Sequence, residues 1–390
     1  MELLEACELI VDCPHSTAKD EGEGYPLIRT PNVGRGRLIL DNVHRVSESV
    51  YHKRNERAVP QEDDLILARE APVGNVAIIR QGQNVCLGQR TVLIRPDRNI
   101  VDPEYLVYYL LSPGIQHVLL NSANGATVSH LNMSDIRKLE ISLPPLIIQR
   151  IIGQTLSSID DKIAINAKIN QNLLQQAQIV FVYMFKNNET VKPATIADVS
   201  LNVTDGVHNT VVDDPNGQYL LLSCKNIKGG SLNIGASERR INKETFEKLR
   251  RRTKLAKGDV LISSVGTVGE LLMLNSDPTN YEFQRSVAIV KPNTGLISSY
   301  YLFESLTAQK AELINAAHGA VQQCLFISDI AGFPIGIPSL DDLQVFDNTV
   351  KPMFDAITEN EAENKRLEEL RDTLLPKLMS GELDVSTIEI

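Results

Sequence analysis

Two hydrophobic patterns alternate along this chain. Short apolar runs bounded by Gly, Pro and Asn, such as residues 64–68 (DLILA) and 90–95 (RTVLIR), predict the strands of twisted sheets. Each group of strands is followed by a predicted helix, near Pro103–Leu111 and near Ser298–Ala316. Further along, the period of the apolar positions changes from two to about three and a half residues for about five heptads. This period predicts two long helices of the coiled-coil type, each about 60 Å long.

The same order of elements occurs twice, at a shift of about 194 residues. Residues 63–74 (DDLILAREAPVG) align with residues 258–269 (GDVLISSVGTVG). Further aligned blocks are Gln89-Arg90-Thr91-Val92 with Gln284-Arg285-Ser286-Val287, Tyr108-Tyr109-Leu110 with Tyr300-Tyr301-Leu302, and Asp12-x-x-His15-x-Thr17 with Asp205-x-x-His208-x-Thr210. Because the order of the blocks never breaks, the repeat indicates a duplicated structural unit.

These patterns predict the α/β (α+β) class, with two similar, mainly β domains separated by two long antiparallel helices and related by a pseudo-twofold repeat. The predicted segments are a first domain at 1–144, a spacer helix at 145–187, a second domain at 188–338, a second spacer helix at 339–380 and a tail at 381–390.

Polar residues interrupt the apolar seam of both long helices at equivalent places. An Asn at a core position weakens a coiled coil but fixes its register and its partner. We expect some of these residues to face each other across an antiparallel helix pair; the alternative is that they lie just off the seam. The four residues are Asn166, Asn170, Asn360 and Asn364.

The charge of the chain is unevenly distributed. The net charge is −10, yet Lys225–Lys257 holds eleven Lys and Arg against three Glu, and Arg29–Arg57 holds seven against three acids. From Asp341 onward there are thirteen acids and five bases. A charged run is commonly just a solvated face, but two basic runs at matching places in a repeat favour a polyanionic partner.

The sequence motifs of catalysis are missing from the chain. It contains no Gly-rich nucleotide loop, no Asn-Pro-Pro-Tyr-like motif and no H-E-x-x-H. The five cysteines are scattered without a C-x-x-C pair, which argues against a disulfide framework or a zinc site and favours a reduced, cytoplasmic setting. The uncharged stretch Tyr105–Ser134 is broken by Pro and Gly, so no membrane association is expected. We therefore expect neither a catalytic site nor a metal site.

Two segments carry a family resemblance. Residues 143–163 (LPPLIIQRIIGQTLSSIDDKI) resemble the central conserved region of the specificity subunits of type I restriction-modification systems. Residues 370–385 (LRDTLLPKLMSGELDV) are similar to their C-terminal conserved region. The resemblance implies two target recognition domains, at 1–144 and 188–338, which each read one half of a split DNA site.

The same resemblance implies partners and cofactors. Such subunits bind two modification subunits, which methylate adenine with S-adenosylmethionine, and can bind two restriction subunits, which use ATP and Mg²⁺. No cofactor is expected in this chain itself. The chain departs from its own repeat where Gly266-Thr267 stands at the place of Ala71-Pro72.

The family's recognition domains vary in sequence, so the residues that touch DNA cannot be transferred from it and are chosen from the basic runs. His15 with Thr17 and His208 with Thr210 are weaker candidates, with a turn-forming histidine as the alternative. The predicted DNA-binding residues are Arg29, Arg35, Arg37, Lys53, Arg54 and Arg57 in the first domain, and Lys225, Arg239, Arg240, Lys243, Arg250, Arg251, Arg252 and Lys254 in the second.

The sequence thus predicts a non-catalytic subunit that binds double-stranded DNA at a bipartite target and positions its partner enzymes. One alternative is a protein-assembly scaffold without DNA sequence preference, in which the coiled coil merely spaces protein-binding domains. A second is a metal-dependent enzyme or nuclease with an unrecognised site.

Overall fold

The computed structural model describes residues 1–123, 129–186, 188–235, 237–319 and 323–385. The chain divides into two compact units. Unit 1 comprises residues 1–165 and the chain from residue 363 onward, and unit 2 comprises residues 166–362. The division falls inside each of the two long helices, so each unit holds one half of both.

Unit 1 is built on a five-stranded sheet with the strand order β1-β8-β5-β6-β3, and β4-β2-β7 form a smaller sheet. Its strands are β1 (Cys7–Asp12), β2 (Tyr25–Ile28), β3 (Gly36–Arg37), β4 (Arg45–Val46), β5 (Leu65–Ala68), β6 (Val76–Ile78), β7 (Cys86–Leu87) and β8 (Thr91–Pro96). Its helices are α1 (Glu48–Arg54), α2 (Pro103–Leu111), α3 (Pro113–Ser122), α4 (Met133–Arg137) and the first half of α5 (Leu146–Phe185).

Unit 2 repeats this plan with a four-stranded sheet of order β10-β18-β15-β16, a three-stranded sheet β14-β11-β17 and the pairs β12-β13 and β19-β9. Its strands are β9 (Lys192–Thr195), β10 (Ser200–Asp205), β11 (Tyr219–Leu222), β12 (Ile227–Lys228), β13 (Ser231–Leu232), β14 (Arg239–Ile241), β15 (Val260–Ser263), β16 (Leu271–Met273), β17 (Tyr281–Phe283), β18 (Val287–Pro292) and β19 (Pro334–Ile337). Its helices are α6 (Lys243–Thr253), α7 (Ser299–Ala308), α8 (Lys310–Asn315), α9 (Ile327–Ala331) and the first half of α10 (Leu340–Ser380).

The central strands of both units are buried on both faces. All four residues of β5 and all four of β15 are buried, which explains why these segments are nearly continuous apolar runs. In unit 1 one face of the sheet packs on α2 and on apolar residues of α5 and α10, and the other face packs on the smaller sheet and its loops. Unit 2 has the same two-sided core.

The duplication extends to strand register. In unit 1, β1 pairs antiparallel with β8, and the register shifts between Cys7 and Leu9. In unit 2, β10 pairs antiparallel with β18, and the register shifts between Ser200 and Asn202. An irregularity at the same point of the same strand pair confirms the predicted internal repeat and the predicted fold class.

Two blocks of the sequence alignment are wrong, however. Because Ala68 pairs with Thr91 and Ser263 pairs with Val287, Thr91 is equivalent to Val287, whereas the alignment paired it with Ser286. The Asp102 side chain accepts a hydrogen bond from the Tyr105 backbone N at the start of α2, and the Ser298 side chain accepts one from the Tyr301 backbone N at the start of α7. Tyr105 is therefore equivalent to Tyr301, whereas the alignment paired Tyr109 with Tyr301. An aromatic pattern that recurs every four residues on a helix allows this slip.

The long helices pack antiparallel within each unit, as predicted. In unit 1, Arg371 Nη1 lies 2.8 Å from Asp160 Oδ1, and Asn364 Nδ2 donates to the Ile163 carbonyl at 3.3 Å. In unit 2, Asn360 Nδ2 donates to Asn170 Oδ1 at 2.8 Å. Residue numbers fall along α10 as they rise along α5.

The asparagines of the seam are inside the helix pair. Asn166 is 0% exposed and Asn170 is 6% exposed, while Asn360 and Asn364 are half-buried. The amide pair of Asn170 and Asn360 crosses the seam, so the alternative that these residues lie beside it fails for this pair. Each amide supplies the partner that the other needs when it is removed from water.

Candidate nucleic-acid interface

Arg54 is part of the interior of unit 1. It is 5% exposed, and its guanidinium donates to the carbonyl oxygens of Leu87 at 2.6 Å, Ser16 at 3.0 Å and Pro14 at 3.3 Å. Burial lowers its pKa. These bonds tie the loop after β1 to β7, so this guanidinium has no free edge for a phosphate.

Two further predicted residues lie beside β3 and contact helices. The Arg37 guanidinium pairs with Asp161 on α5, and burial lowers the pKa of Arg37. Arg35 is exposed and donates to the Leu111 carbonyl at 3.2 Å, at the end of α2. Arg37 thus anchors β3 to the long helix rather than presenting its charge to solvent.

The remaining predicted residues of unit 1 are more accessible. Lys53 and Arg57 are exposed at the end of α1 and just beyond it, and Arg29 is half-buried. Arg57 Nη1 donates to the Asp12 carbonyl at 3.2 Å, which places Arg57 beside the loop that follows β1.

That loop carries a cluster of polar side chains. Asp12, the last residue of β1, accepts a hydrogen bond from Arg69 Nη1 at 2.8 Å and pairs with His15 Nε2 at 3.3 Å. Gln89 Nε2 donates to the His15 carbonyl at 2.6 Å. The neighbouring Arg90 is exposed, adopts a φ of +66° and pairs with Glu70 at 2.9 Å. We call His15, Gln89 and Arg90 the recognition cluster of unit 1.

Unit 2 has a related arrangement at the equivalent loops, but strand register places Arg285 at the position of Gln89 and not of Arg90. Asp205, the last residue of β10, pairs with His208 at 2.5 Å. The backbone of Val207 bonds to the loop that holds Gln284 and Arg285, since Arg285 N donates to the Val207 carbonyl at 3.1 Å. Arg285 is exposed. We call His208, Gln284 and Arg285 the recognition cluster of unit 2.

Arg250, in contrast, supports the fold of unit 2. Its Nε pairs with Glu282, which is 0% exposed, and its Nη1 and Nη2 donate to the carbonyls of Pro278 at 2.6 Å and Tyr281 at 2.9 Å. The guanidinium also lies over the ring of Phe246, 5.0 Å from its centroid. Every edge of this guanidinium is occupied, so it joins α6 to β17.

Several predicted residues of unit 2 are held by nearby acceptors while remaining accessible. Lys225 pairs with Glu238 at 3.0 Å and Arg239 with Asp213 at 2.7 Å. Arg252 pairs with Asp205 at 3.0 Å, which brings the end of α6 to the recognition cluster. Two others are exposed with longer contacts, namely Arg240, which donates to the Gly217 carbonyl at 3.2 Å, and Lys243, which lies 3.8 Å from Glu247.

The exposed face of α6 forms a basic ridge that we define as Lys248, Arg251 and Lys254. Lys248 and Arg251 lie three residues apart on one side of α6, opposite the buried Phe246 and Leu249, and Lys254 follows as the residue that caps the end of the helix. All three are exposed, and within the described parts of the chain none of them pairs with an acid. Accessible, uncompensated cations of this kind suit phosphate contacts.

Comparison with known proteins shows which family this chain is similar to. Residues 8–175 match the family model of the type I restriction modification DNA specificity domain. The chain is 26% identical over 384 residues to the type I restriction enzyme MjaIX specificity subunit of Methanocaldococcus jannaschii, covering 87% of this chain and 85% of that protein. It is 23% identical over 397 residues to the type I restriction enzyme EcoBI specificity subunit of Escherichia coli, covering 93% and 80%. The chain is thus similar to type I specificity subunits over most of its length.

The fold of this chain also has a solved counterpart. The S subunit of a type I restriction-modification system from M. genitalium aligns with 97% of this chain and 95% of its own, with a TM-score of 0.55 and 15% sequence identity. At this identity the likeness shows the fold alone, and it agrees with the architecture derived above.

Two kinds of feature are missing from the part of the chain that the structure describes. No group of three or more His, Cys, Asp or Glu side chains is placed there to hold a metal ion. No helix among the same residues is both long enough and apolar enough to cross a bilayer.

Sequence reasoning did not select Arg90 and Arg285, which the structure places in the two recognition clusters. The Gln-Arg dipeptide was visible as part of the repeat, but each arginine lies outside the basic runs. The sequence did contain a signal for these residues. Each Gln-Arg dipeptide lies between two apolar runs, where a charged residue indicates an exposed loop and not the core.

Proposed function

We propose that this chain is a type I specificity subunit that reads a bipartite DNA sequence, with one half-site for each unit. The observation that carries the proposal is the exposed recognition cluster that occurs in both units, His15 with Arg90 and His208 with Arg285. Arginine and histidine side chains can donate to base edges in the major groove, and arginine does so in bidentate fashion to guanine. In unit 2 the basic ridge of α6 would contact phosphates and fix the orientation.

Selection from a random pool tests this proposal. The full chain, with its modification subunit, is used to select bound duplexes, and the enriched sequences are read. The wild-type protein should return two short specific segments separated by a gap of fixed length. Arg90→Ala should relax one segment and Arg285→Ala the other, by about 1–3 kcal/mol of discrimination for each bidentate arginine–guanine pair that the variant removes.

Arg98→Ala provides a matched control. Arg98 is also an exposed arginine of unit 1, paired with Asp63 at 2.8 Å, but it follows β8 whereas Arg90 precedes it. This variant should leave both segments unchanged. If the wild-type protein enriches no motif, the assembly-scaffold alternative is correct; if Arg90→Ala and Arg285→Ala alter the same segment, the assignment of one cluster to each half-site is wrong.

We further propose that the chain works in the cytoplasm as a non-catalytic spacer and guide for two modification subunits and, where present, two restriction subunits. Those partners would use S-adenosylmethionine, ATP and Mg²⁺, while this chain holds no cofactor. The similarity to type I specificity subunits and the paired long helices support this assignment. Incubating the purified chain alone with duplex DNA and Mg²⁺ should leave the DNA intact, and cleavage would favour the nuclease alternative.

A further inference from the structure

Unit 2 contains a cavity of about 490 Å³ next to α7. Its walls include Leu174 and Gln178 from α5, the turn Gly229-Gly230, and Phe303 and Glu304 from α7. Lys310 lies at the start of α8 and completes the lining. The cavity therefore combines apolar walls with two carboxyl groups, that of Glu270, which pairs with Lys310, and that of Glu304.

The carboxyl group of Glu304 is buried and only partly hydrogen-bonded. Glu304 is 1% exposed, and within the described chain its Oε1 has no hydrogen-bond partner. With its amide oriented to donate, Gln178 Nε2 lies 2.5 Å from Glu304 Oε2. Burial raises the pKa of Glu304 to about 8. A buried carboxylate without a cation is costly, so this group is suited to a ligand that brings one.

The cations of unit 2 closest to the cavity are already committed. Lys310 Nζ donates to Glu270 Oε1 at 2.6 Å, and Glu270 also accepts from the Gly229 backbone N at 2.9 Å. The hydrogen bond from Lys310 and the positive charges of Lys310 and Lys228 lower the pKa of Glu270. Gln175 and Gln178, which face the cavity from α5, are uncharged. Glu304 thus lacks a positive partner of its own.

Unit 1 shows how the equivalent position is satisfied. The alignment of the helix starts makes Tyr108 the counterpart of Glu304. Tyr108 Oη donates to Asp160 Oδ2 at 2.6 Å, and Asp160 Oδ1 accepts from Arg371 Nη1 at 2.8 Å. The position in α5 that corresponds to Arg371, counted from the helix start, is Ala177. Unit 1 thus places an acid and a guanidinium beside Tyr108, whereas unit 2 has its acid at the equivalent position itself and no guanidinium at the position of Arg371.

We propose that this cavity of unit 2 binds an organic cation, with a guanidinium or ammonium group against Glu304 and its alkyl chain against Leu174 and Phe303. The ligand class is an alkylguanidinium or alkylammonium, which could be the arginine or lysine side chain of a partner protein or a free amine. The cation would replace the arginine that unit 1 supplies from its own chain.

The primary test is a calorimetric titration of the full chain with n-butylguanidinium chloride. Glu304→Gln should weaken binding about tenfold or more, because a charge-assisted hydrogen bond is lost. Glu312→Gln removes the same charge from an exposed site on α8 and should leave the affinity unchanged. No binding by the wild-type chain, or equal binding by Glu304→Gln, overturns the proposal.

The pH dependence adds a second measure. Because the pKa of Glu304 is about 8, its ionised fraction rises about tenfold between pH 7 and pH 9. The affinity of the wild-type chain for n-butylguanidinium should rise by about the same factor, and that of Glu304→Gln should stay constant. A similar rise in both proteins would assign the pH effect to other groups and overturn the role of Glu304.

The source of the cation can be determined with a peptide. A capped Leu-Arg-Leu peptide that displaces n-butylguanidinium would support a side chain from a protein partner, and its Leu-Ala-Leu analogue should not compete. If n-butylguanidinium binds while the peptide does not compete, the cavity accepts a free amine. Both outcomes are compatible with the cation site itself, which is tested by the binding of n-butylguanidinium to Glu304→Gln.

Discussion

Replacing Arg250 by Ala should destabilise unit 2 far more than replacing the adjacent Arg251, although both belong to one run of three arginines. Arg250 is bound to Glu282 and to two backbone carbonyls, and Glu282 is 0% exposed. Arg251 is exposed on α6. Both variants therefore remove one arginine side chain, but Arg250 is held by a buried carboxylate and two carbonyls whereas Arg251 is exposed.

The size of the effect follows from the carboxylate left behind. Breaking a buried ion pair by removing one partner costs about 3–5 kcal/mol. Thr253 Oγ1 still donates to Glu282 Oε2 at 2.9 Å, so we expect the lower end, about 3 kcal/mol. In a unit of this size, this corresponds to a fall in Tm of about 6–12 °C. Arg251→Ala should change stability by less than about 0.5 kcal/mol.

The deficit should depend on pH. Burial raises the pKa of Glu282, and Arg250 opposes that rise. Without Arg250 the pKa rises further, so the folded protein binds this proton more tightly than the unfolded chain does. The Arg250→Ala variant therefore keeps this contribution to its stability below the ordinary carboxyl pKa of 4.5. It loses the contribution as the pH increases through the raised pKa of Glu282 in the folded state. The deficit should therefore be larger at pH 8 than at pH 5.

Differential scanning calorimetry of the full-length variants at both pH values measures these effects. Adding Glu282→Gln to Arg250→Ala should recover part of the lost stability, because the neutral amide costs less to bury than the carboxylate. The reasoning is refuted if Arg250→Ala and Arg251→Ala have the same Tm. It is also refuted if Arg250→Ala loses the same amount of stability, relative to the wild type, at pH 5 and at pH 8.

Three further predictions concern the helix seam, the cavity and the basic ridge. Asn360→Leu alone should lower Tm because the Asn170 amide loses its partner, whereas Asn170→Leu with Asn360→Leu should melt at or above the wild-type temperature; an additive loss would contradict this. Glu304→Gln should stabilise the protein by about 3 kcal/mol at pH 7 and by nothing measurable at pH 4, since the wild-type carboxyl is neutral there in both states; urea titrations check this. Replacing all three ridge residues by Ala should flatten the salt dependence of DNA binding, by up to about 0.9 in log–log slope for each phosphate that is no longer neutralised, and an unchanged slope would exclude the ridge.

The sequence was sufficient for the long helices and the duplication, because both depend on periods that survive divergence. An apolar residue every three to four positions reports on a helix face even when the identities change. The seam asparagines were found for the same reason, as breaks in a period. The residue-by-residue alignment failed at Tyr105 and Tyr301, where a helix pattern matches itself after one turn.

Charge was a poorer guide to the interface than periodicity was to the fold. Arg54 and Arg250 stand in basic runs, yet their guanidinium groups bind carbonyls and a buried carboxylate. Whether an arginine bonds inward depends on acceptors far away in sequence, such as the carbonyl of Leu87 for Arg54. Arg90 and Arg285 carry the opposite lesson, since these isolated arginines outside any run are exposed.

In both recognition clusters the histidine pairs with an anchoring aspartate, but the arginine that binds this aspartate differs between the units. Asp12 is held by Arg69, from the end of β5, whereas Asp205 is held by Arg252, from the end of α6. The fold thus preserves the aspartate that positions each histidine loop, while the cation beside it comes from a different element.

Different cations around a common anchor present different donors to DNA, so the two units should read different base sequences. Selected half-sites should then be unlike each other rather than related by inverted symmetry. Two identical half-sites would show that the shared anchor, and not the divergent surroundings, determines what each unit reads.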